Sequence, residues 1–344
     1  MAAVTDTLGF AIVGTGNVSR YHAEGIAQAP GARLVAVCRA DPARAAEAAK
    51  QFGVPCEVSY DALLARADVD AVCLCTPSGQ HAAQTVAAAK AGKHVLVEKP
   101  MALSLADADA MIAACRTAGV ALGVTFQRRT EPSYRALRDA AAAGELGRLV
   151  LGTTAVPYFR DDRYYQSAAW RGTWAQDGGG ALMNQGIHLV DLLVWLMGDV
   201  EQVSARSDTL LHSVEVEDAI AVALRFASGA LGTIVATTAA APGFPHRLEI
   251  YGTLGSVQLE GDAVVRWEGG GARPAEAAAG SVAAGAGASA TGISAAGHVR
   301  IVGDFAGAIR EGRPPMVPGE EGRRSLAVVL AAYESARTGR PVRP

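Results

Sequence analysis

Over the first 125 residues, short apolar runs alternate with Ala-rich stretches suited to helix. The runs Gly9–Val13, Ala32–Cys38, Ala71–Cys75, His94–Val97 and Ala121–Thr125 are β-rich and end in Gly, Pro or a polar turn, which predicts strands. Between them, Asn17–Ala29, Pro42–Gln51, Tyr60–Ala65, Gln80–Ala91 and Leu105–Ala118 predict helices. This alternation implies a parallel sheet with helices on both faces, because parallel neighbours need long crossovers. Asp41-Pro42 reads as an N-cap followed by Pro at the first helical position.

Beyond residue 126 the pattern changes. Longer alternating runs at Leu149–Val156, Val200–Arg206, Asp218–Phe226, Ala230–Thr238, Arg247–Tyr251, Ser256–Glu260 and Ala263–Trp267 predict a large, mostly antiparallel open sheet. One strong helix, about Asn184–Met197, interrupts it and stops at Gly198, a fitting C′ glycine. A second helix closes the chain, about Glu320–Arg337, and is expected to pack back on the first domain. Gly269–Gly297 is almost wholly Gly, Ala and Ser, a low-complexity loop with little to bury and no assigned function. The chain thus reads as two domains, residues 1–125 and 126–344.

Composition narrows the class. Half of the 344 residues are hydrophobic and only 6% aromatic, so the cores are built mainly of Ala, Val and Leu. A net charge of −3 argues against nucleic acid or an acidic membrane as partner, since both demand clustered Lys and Arg. No run of about 18 uncharged apolar residues occurs, so no membrane span is expected. Met1–Phe10 carries Asp6 and no basic segment, unlike a secretory signal. Cys38, Cys56, Cys73, Cys75 and Cys115 are odd in number, form no CxxC and read as reduced thiols of a cytoplasmic protein. No ligand spacing supports zinc, and no metal is expected.

The chemistry begins at Gly14-Thr15-Gly16-Asn17-Val18-Ser19, between the first strand and the first helix. Gly14 permits a tight turn and Gly16 lets backbone approach a pyrophosphate. The helix N-terminus, with Asn17 and Val18, offers free N–H groups and a positive dipole end. Ser19 stands where a third glycine is usual and is still small enough for close packing. Strand before, helix after and a second strand at the right distance make this a dinucleotide site, and the first domain a doubly wound Rossmann domain in an α/β protein. The second domain is then α+β. An acidic residue closing the second strand would select NAD through the ribose 2′-OH. Here Arg39 takes that place, and a guanidinium pairs with a 2′-phosphate, so NAD(P) binding leans to NADP.

Two further stretches carry candidate catalysis. Lys99 ends the fifth strand, and strand ends of an open parallel sheet face the ligand crevice. Its ammonium suits a substrate hydroxyl and the alkoxide-like charge that precedes hydride loss. Gly178-Gly179-Gly180 leads into Asn184 and His188, which share one helix face near its N-terminus. His188 suits proton transfer at neutral pH, and the positive helix end keeps it a base. Asp191 lies one turn further on, placed to orient the ring or to be solvated. Either residue, read alone, is equally a surface lysine or a satisfied histidine.

Together these stretches resemble the glucose-fructose oxidoreductase/inositol dehydrogenase (Gfo/Idh/MocA) family. The resemblance covers essentially the whole chain. It rests on the glycine loop, Cys75-Thr76-Pro77-Ser78-Gly79-Gln80-His81, Glu98-Lys99-Pro100, Phe126-Gln127-Arg128-Arg129, the Gly-rich run into His188, and Ala332-Tyr333-Glu334-Ser335-Ala336. It implies reversible oxidation of a hydroxyl on a sugar, sugar nucleotide or cyclitol by a homodimer or homotetramer joined through the second domain's sheet. It implies Lys99 as catalytic lysine, His188 as acid/base, and Thr76, Pro77, His81, Glu98 and Gln127 as cofactor lining. Many members carry Asp four residues before the histidine; this chain has Asn184, which cannot take a proton but can hydrogen-bond a substrate. The stretch from Trp170 to His188 looks closest to the sugar-nucleotide branch, which includes 3-dehydrogenases of UDP-N-acetylglucosamine-derived uronates. Arg128, Tyr158, Arg160, Tyr164 and Trp170 stand in loops that should border the crevice as substrate contacts. Two rival readings share the fold: a regulator that senses NAD(P) without chemistry, and a reductase of an unsaturated or imine substrate.

Overall fold

The computed structural model describes residues 7–269 and 295–344. They divide into two compact units: residues 7–127 with 295–323, and residues 128–269 with 324–344. Among the described residues no helix is long and apolar enough to cross a membrane.

The first unit alternates β1 (Leu8–Val13), α1 (Ser19–Gln28), β2 (Ala32–Cys38), α2 (Ala45–Phe52), β3 (Cys56–Glu57), α3 (Tyr60–Leu64), β4 (Ala71–Leu74), α4 (His81–Lys90), β5 (His94–Val97), α5 (Leu105–Ala118) and β6 (Leu122–Val124). All pairings are parallel, in the order β3-β2-β1-β4-β5-β6. This is the doubly wound Rossmann order, whose ligand crevice opens where the order reverses, beside β1 and β4. Every residue of β1 and β4 is buried, as strands covered on both faces require.

The structure departs from the sequence pattern in four places here. β3 is only two residues long, too short to leave a periodic signal. Asp41 does cap, accepting the Ala43 amide at 3.1 Å, but it caps a short 3-10 turn, Pro42–Arg44, and the α-helix starts at Ala45. α1 starts at Ser19 rather than Asn17, so Gly16 to Val18 remain loop. The fourth departure is a helix, here α9, at Ala296–Glu311. The Gly/Ala/Ser-rich loop, expected to run to Gly297, gives way to this helix at Ala296, ahead of the one helix expected in this part of the chain, about Glu320–Arg337. Residues 270–294 lie outside the described residues. α9 packs on α1 where Gly25 gives it room, a Cβ there falling 3.0 Å from the His298 carbonyl. Phe305 meets Phe10 edge-on with ring centres 6.4 Å apart.

The second unit contains α6 (Pro132–Ala142), β7 (Leu149–Pro157), α7 (Asp162–Gln166), α8 (Ile187–Met197), β8 (Val200–Asp208), β9 (Ala219–Phe226), β10 (Leu231–Thr237), β11 (Arg247–Gly252), β12 (Gly255–Glu260) and β13 (Ala263–Gly269). Seven strands run in the order β13-β12-β11-β7-β10-β9-β8. All pairs are antiparallel except β7 with β10. α8 is apolar almost all round and lies on one face, close enough that a Cβ on Gly152 would fall 2.7 Å from Leu193. On the other face Leu231 and Val235 are exposed among the described residues. The last helix, α10 (Gly319–Thr338), begins in the first unit, Gly319 against Leu122 and Ile112, and continues in the second.

The helix expected from Asn184 is two pieces. A π-helical turn, Ala181–Gly186, precedes α8, so Asn184 lies in the wide turn and His188 in the first α-turn. Such π turns are frequent at functional sites.

Candidate active site

In the first unit, the loops after β1, β4 and β5 come together at the sheet's carboxyl end. Gly14 (φ +90°) turns the chain where a Cβ would fall 2.8 Å from the Cys75 carbonyl, so only glycine lets the two loops pass. No side chain caps the start of α1; the Ser19 and Tyr21 amides turn back to the Gly16 and Val18 carbonyls at 3.2 and 3.0 Å, and the positive end of the helix dipole favours an anion here. Gly16 and Asn17 are exposed and Val18 half-buried; Ser19 is fully buried against the loop, as a small residue must be here. Arg39, half-buried at the end of β2, donates from Nη1 to Thr15 Oγ1 at 2.6 Å, while its Nε has no partner among the described residues. These features fit a dinucleotide pyrophosphate and its adenosine end.

His81 is buried, with Nδ1 2.9 Å from the Pro100 carbonyl and Nε2 2.9 Å from the Thr76 carbonyl. It therefore ties the loop after β4 to the loop after β5. Thr76 donates to Gln84 at 2.6 Å, and Pro77 starts a short turn into α4. Gln127 follows β6, half-buried in a 3-10 turn. Lys99 is half-buried between Glu98 and Pro100.

Glu98 is a buried carboxylate. Its Oε1 lies 2.8 Å from His22 Nε2 and 3.7 Å from His298 Nε2, and its Oε2 receives the Lys99 amide at 3.3 Å. Burial acts to raise its pKa, but the bonds from His22 and His298 outweigh this and hold it far below the usual carboxylate range. His22 and His298 were missed in the sequence, since they become neighbours of Glu98 only through the packing of α1 and α9. The three groups are close enough to hold a metal ion. Among the described residues Nδ1 of neither ring has a hydrogen-bond partner, whereas metal-bound histidines usually anchor their second ring nitrogen. We read the trio as a hydrogen-bonded cluster.

In the second unit, Asn184 and His188 are half-buried. Asn184 Nδ2 donates to Asp177 Oδ1 at 2.7 Å, and Asp177 Oδ2 accepts the Gly172 amide at 2.9 Å. A carboxylate thus stands beside Asn184 after all, from a loop seven positions earlier in the chain. Tyr164 accepts from Arg171 at 2.8 Å and from Gln185 at 3.0 Å, which links it to the same turn. Arg171 also lies over the Tyr164 and Trp170 rings, 4.3 and 4.6 Å from their centres. Tyr164, Trp170 and Asn184 therefore form one patch, together with Asp177, Arg171 and Gln185.

Tyr158 and Arg128 belong to another cluster. Tyr158 is buried with its hydroxyl 3.0 Å from His246 Nδ1, and Arg128 bonds Asp262 and His246. Burial acts to raise Asp262, but Arg128 and His246 outweigh it and hold it at about 2. Burial and the Arg128 charge push His246 down to about 4. Arg160 is buried between the Tyr158 and Tyr164 rings, 5.3 and 5.5 Å from their centres, and donates to the Phe159 carbonyl. Asp191 is not solvated: it is 1% exposed, bound bidentately by Arg129 at 2.7 Å per bond, and accepts Ser325 Oγ at 2.8 Å.

The comparisons agree with this anatomy. Residues 8–126 match the family profile for the oxidoreductase NAD-binding Rossmann fold, and residues 134–258 match that for the GFO/IDH/MocA C-terminal domain. A 1,5-anhydro-D-fructose reductase of Ensifer adhaerens is 32% identical over 95% of this chain and 96% of its own. A myo-inositol 2-dehydrogenase of Thermotoga maritima is 29% identical over 96% of this chain and 97% of its own. The crystal structure of the WlbA dehydrogenase from Bordetella pertussis, in complex with NADH and UDP-GlcNAcA, superposes with a TM-score of 0.87. It is 35% identical and covers 98% of this chain and 99% of that one. The fold and site define a nicotinamide-dependent oxidoreductase. The chain belongs to the Gfo/Idh/MocA family.

Proposed function

We propose that this oxidoreductase interconverts a secondary alcohol and a ketone on a sugar-like substrate, with a sugar nucleotide as the favoured class. The observation that carries the reading is local to each unit. Lys99 directly follows β5 at the sheet end that also bears the glycine loop. His188 stands half-buried in the first turn of α8, one turn from Asn184. Lys99 holds the reacting hydroxyl and favours its alkoxide. His188 takes the hydroxyl proton in oxidation and returns it in reduction. Asp177 fixes the amide orientation of Asn184, which bonds a neighbouring substrate group. The nicotinamide, when bound, takes or supplies the hydride. Gly14, Gly16, Asn17, Val18, Arg39, Thr76, Pro77, Glu98 and Gln127 line its site, with His81 bracing the two loops. Tyr164 and Trp170 form the substrate patch with Arg171. Arg128, Tyr158 and Arg160 act beside it.

The sugar-nucleotide class is supported by the UDP-GlcNAcA held by the WlbA neighbour, and cyclitols and anhydrosugars by the relatives' names. The bound nucleotide in that neighbour is NADH. Arg39, with no carboxylate at the end of β2, supports NADP for this chain. Free thiols at all five cysteines fit a cytoplasmic setting, and the exposed Leu231 and Val235 fit dimers or tetramers joined through the open sheet face.

The test is nicotinamide absorbance with UDP-GlcNAcA and myo-inositol in the oxidative direction and 1,5-anhydro-D-fructose in the reductive one, each with NAD and NADP forms. Turnover is expected on at least one. Lys99→Ala and His188→Ala should each lower it by about a hundredfold or more with cofactor binding intact. Near-normal turnover in either variant removes that residue's role. No turnover on any member, with cofactor still bound, favours the sensing regulator. Calorimetric titration with NADPH and NADH decides the preference, and clearly tighter NADH would overturn the assignment to Arg39.

A further inference from the structure

The stretch Ala332-Tyr333-Glu334-Ser335-Ala336 has no part in the chemistry above. Its surroundings supply one. The π-helical turn Ala181–Gly186 begins, like any helix, with amides that have no acceptor of their own, and Gly180 brings no side chain to cap them. Two residues from elsewhere take all four. Glu217, at the entry to β9, accepts the Gly180 amide on Oε2 at 2.8 Å and the Leu182 amide on Oε1 at 2.9 Å. The Glu217 carbonyl accepts the Ala181 amide at 3.0 Å. Tyr333, on α10 within the second unit, accepts the Met183 amide at 3.2 Å and donates its hydroxyl to Glu217 Oε1 at 3.0 Å.

The glycines are the imprint of this clasp. A Cβ on Gly179 would fall 2.2 Å from the Tyr333 hydroxyl, and one on Gly180 would fall 1.7 Å from the Glu217 carbonyl. The Tyr333 ring is held edge-to-face by Trp174 at 5.4 Å, and Ser335 pins the same helix to β8 by accepting the Ala205 amide at 3.0 Å. Neighbouring carboxylates have other partners. Asp218 turns to the amides of Leu210, Leu211 and His212, Glu215 to Trp174, and Asp177 to Asn184.

We infer that Glu217 and Tyr333 are positioning residues. They replace the missing acceptors of the π turn and so set the directions of Asn184 and His188. This helix end is thereby closed to anions. The inference rests on the proposed role of His188. It assigns Tyr333 a task in turnover that acts through the turn it caps.

The experiment uses the full chain with Tyr333→Phe, which keeps the ring against Trp174 and removes only the hydroxyl, and with Glu217→Gln as the second variant. At about pH 8, amide hydrogen exchange of the peptide spanning residues 178–188 should quicken by about fivefold or more in both. For the panel member the wild type turns over, kcat should fall by about tenfold or more, with NADH affinity unchanged and KM changed less than kcat. Loss of both contacts in one chain should cost little more than either alone, because the two share one clasp. Unchanged exchange in both variants overturns the clasp. Quickened exchange with unchanged kcat overturns positioning and leaves a structural cap. Should the wild type turn over no panel member, the substrate reading fails by itself, while the exchange measurement still decides the clasp.

Discussion

Each unit buries one glutamate beside its candidate chemistry, and the two behave in opposite ways. Glu98 faces two imidazoles, and its carboxyl is held far below the usual range. Glu217 faces two amides and a phenol. Burial pushes it up to about 7, against the lowering by the Leu182 and Gly180 amides and the Tyr333 hydroxyl. Both make short hydrogen bonds, so bond number does not separate them. At Glu98 the hydrogen bonds from His22 and His298 outweigh the cost of burial, whereas at Glu217 those from two amides and a phenol leave much of that cost in place. The first unit has an anion anchored in one state. The second has a clasp whose charge state changes within the physiological range.

The largest test removes an imidazole. His22→Phe keeps the ring and deprives buried Glu98 of its shortest bond, and should destabilise the first unit by about 3 kcal/mol. All four tryptophans lie in the second unit, so denaturant unfolding followed by circular dichroism should show an early phase that tryptophan fluorescence lacks. A loss under about 1 kcal/mol would mean that His298 alone suffices. Next in size is the pH dependence. A raised carboxyl gives stability that is complete below its unfolded pKa and is lost as pH rises through its folded one. Relative to Glu217→Gln, the wild-type second unit should therefore lose roughly 2–3 kcal/mol between about pH 5 and pH 8, read by fluorescence. Glu98 works with the opposite sign, its contribution being present above its unfolded pKa and lost as pH falls. A constant gap between wild type and Glu217→Gln would dissolve the contrast. The smallest effect belongs to Tyr333→Phe, which should cost about 1 kcal/mol and leave the pH dependence of Glu217 in place, because burial is its main cause.

How much of this was legible depended on range. The five main strands of the first unit and the glycine loop repeat at short spacing, and their periodicity located them. Lys99 and His188 were singled out as candidates the same way, each at the edge of a readable element. α9 shows the cost of stopping early: His298, Ile301, Val302, Phe305 and Ala306 have helical spacing, but they follow a Gly/Ala/Ser run that reads as loop. Asp177 and Glu217 left no local sign, and the stretch around Tyr333 showed only a resemblance and no task, since each meets its partners only through tertiary folding. Arg128 illustrates the converse. A basic residue in a loop reads as a ligand contact, and only the structure shows Asp262 and His246 already upon it.

The return of α9 to the first unit governs how the chain can be made. The Rossmann sheet emerges from the ribosome early, yet Phe10, Gly25 and Gly123 meet Phe305 or its helix only after the whole second sheet has been synthesised. Until then the nascent cofactor domain carries a bare apolar flank and His22 and Glu98 without their third member. Excised at its apparent boundary, that domain would be an incomplete fold, and a cofactor-binding fragment would have to carry residues 295–323 joined back by a linker.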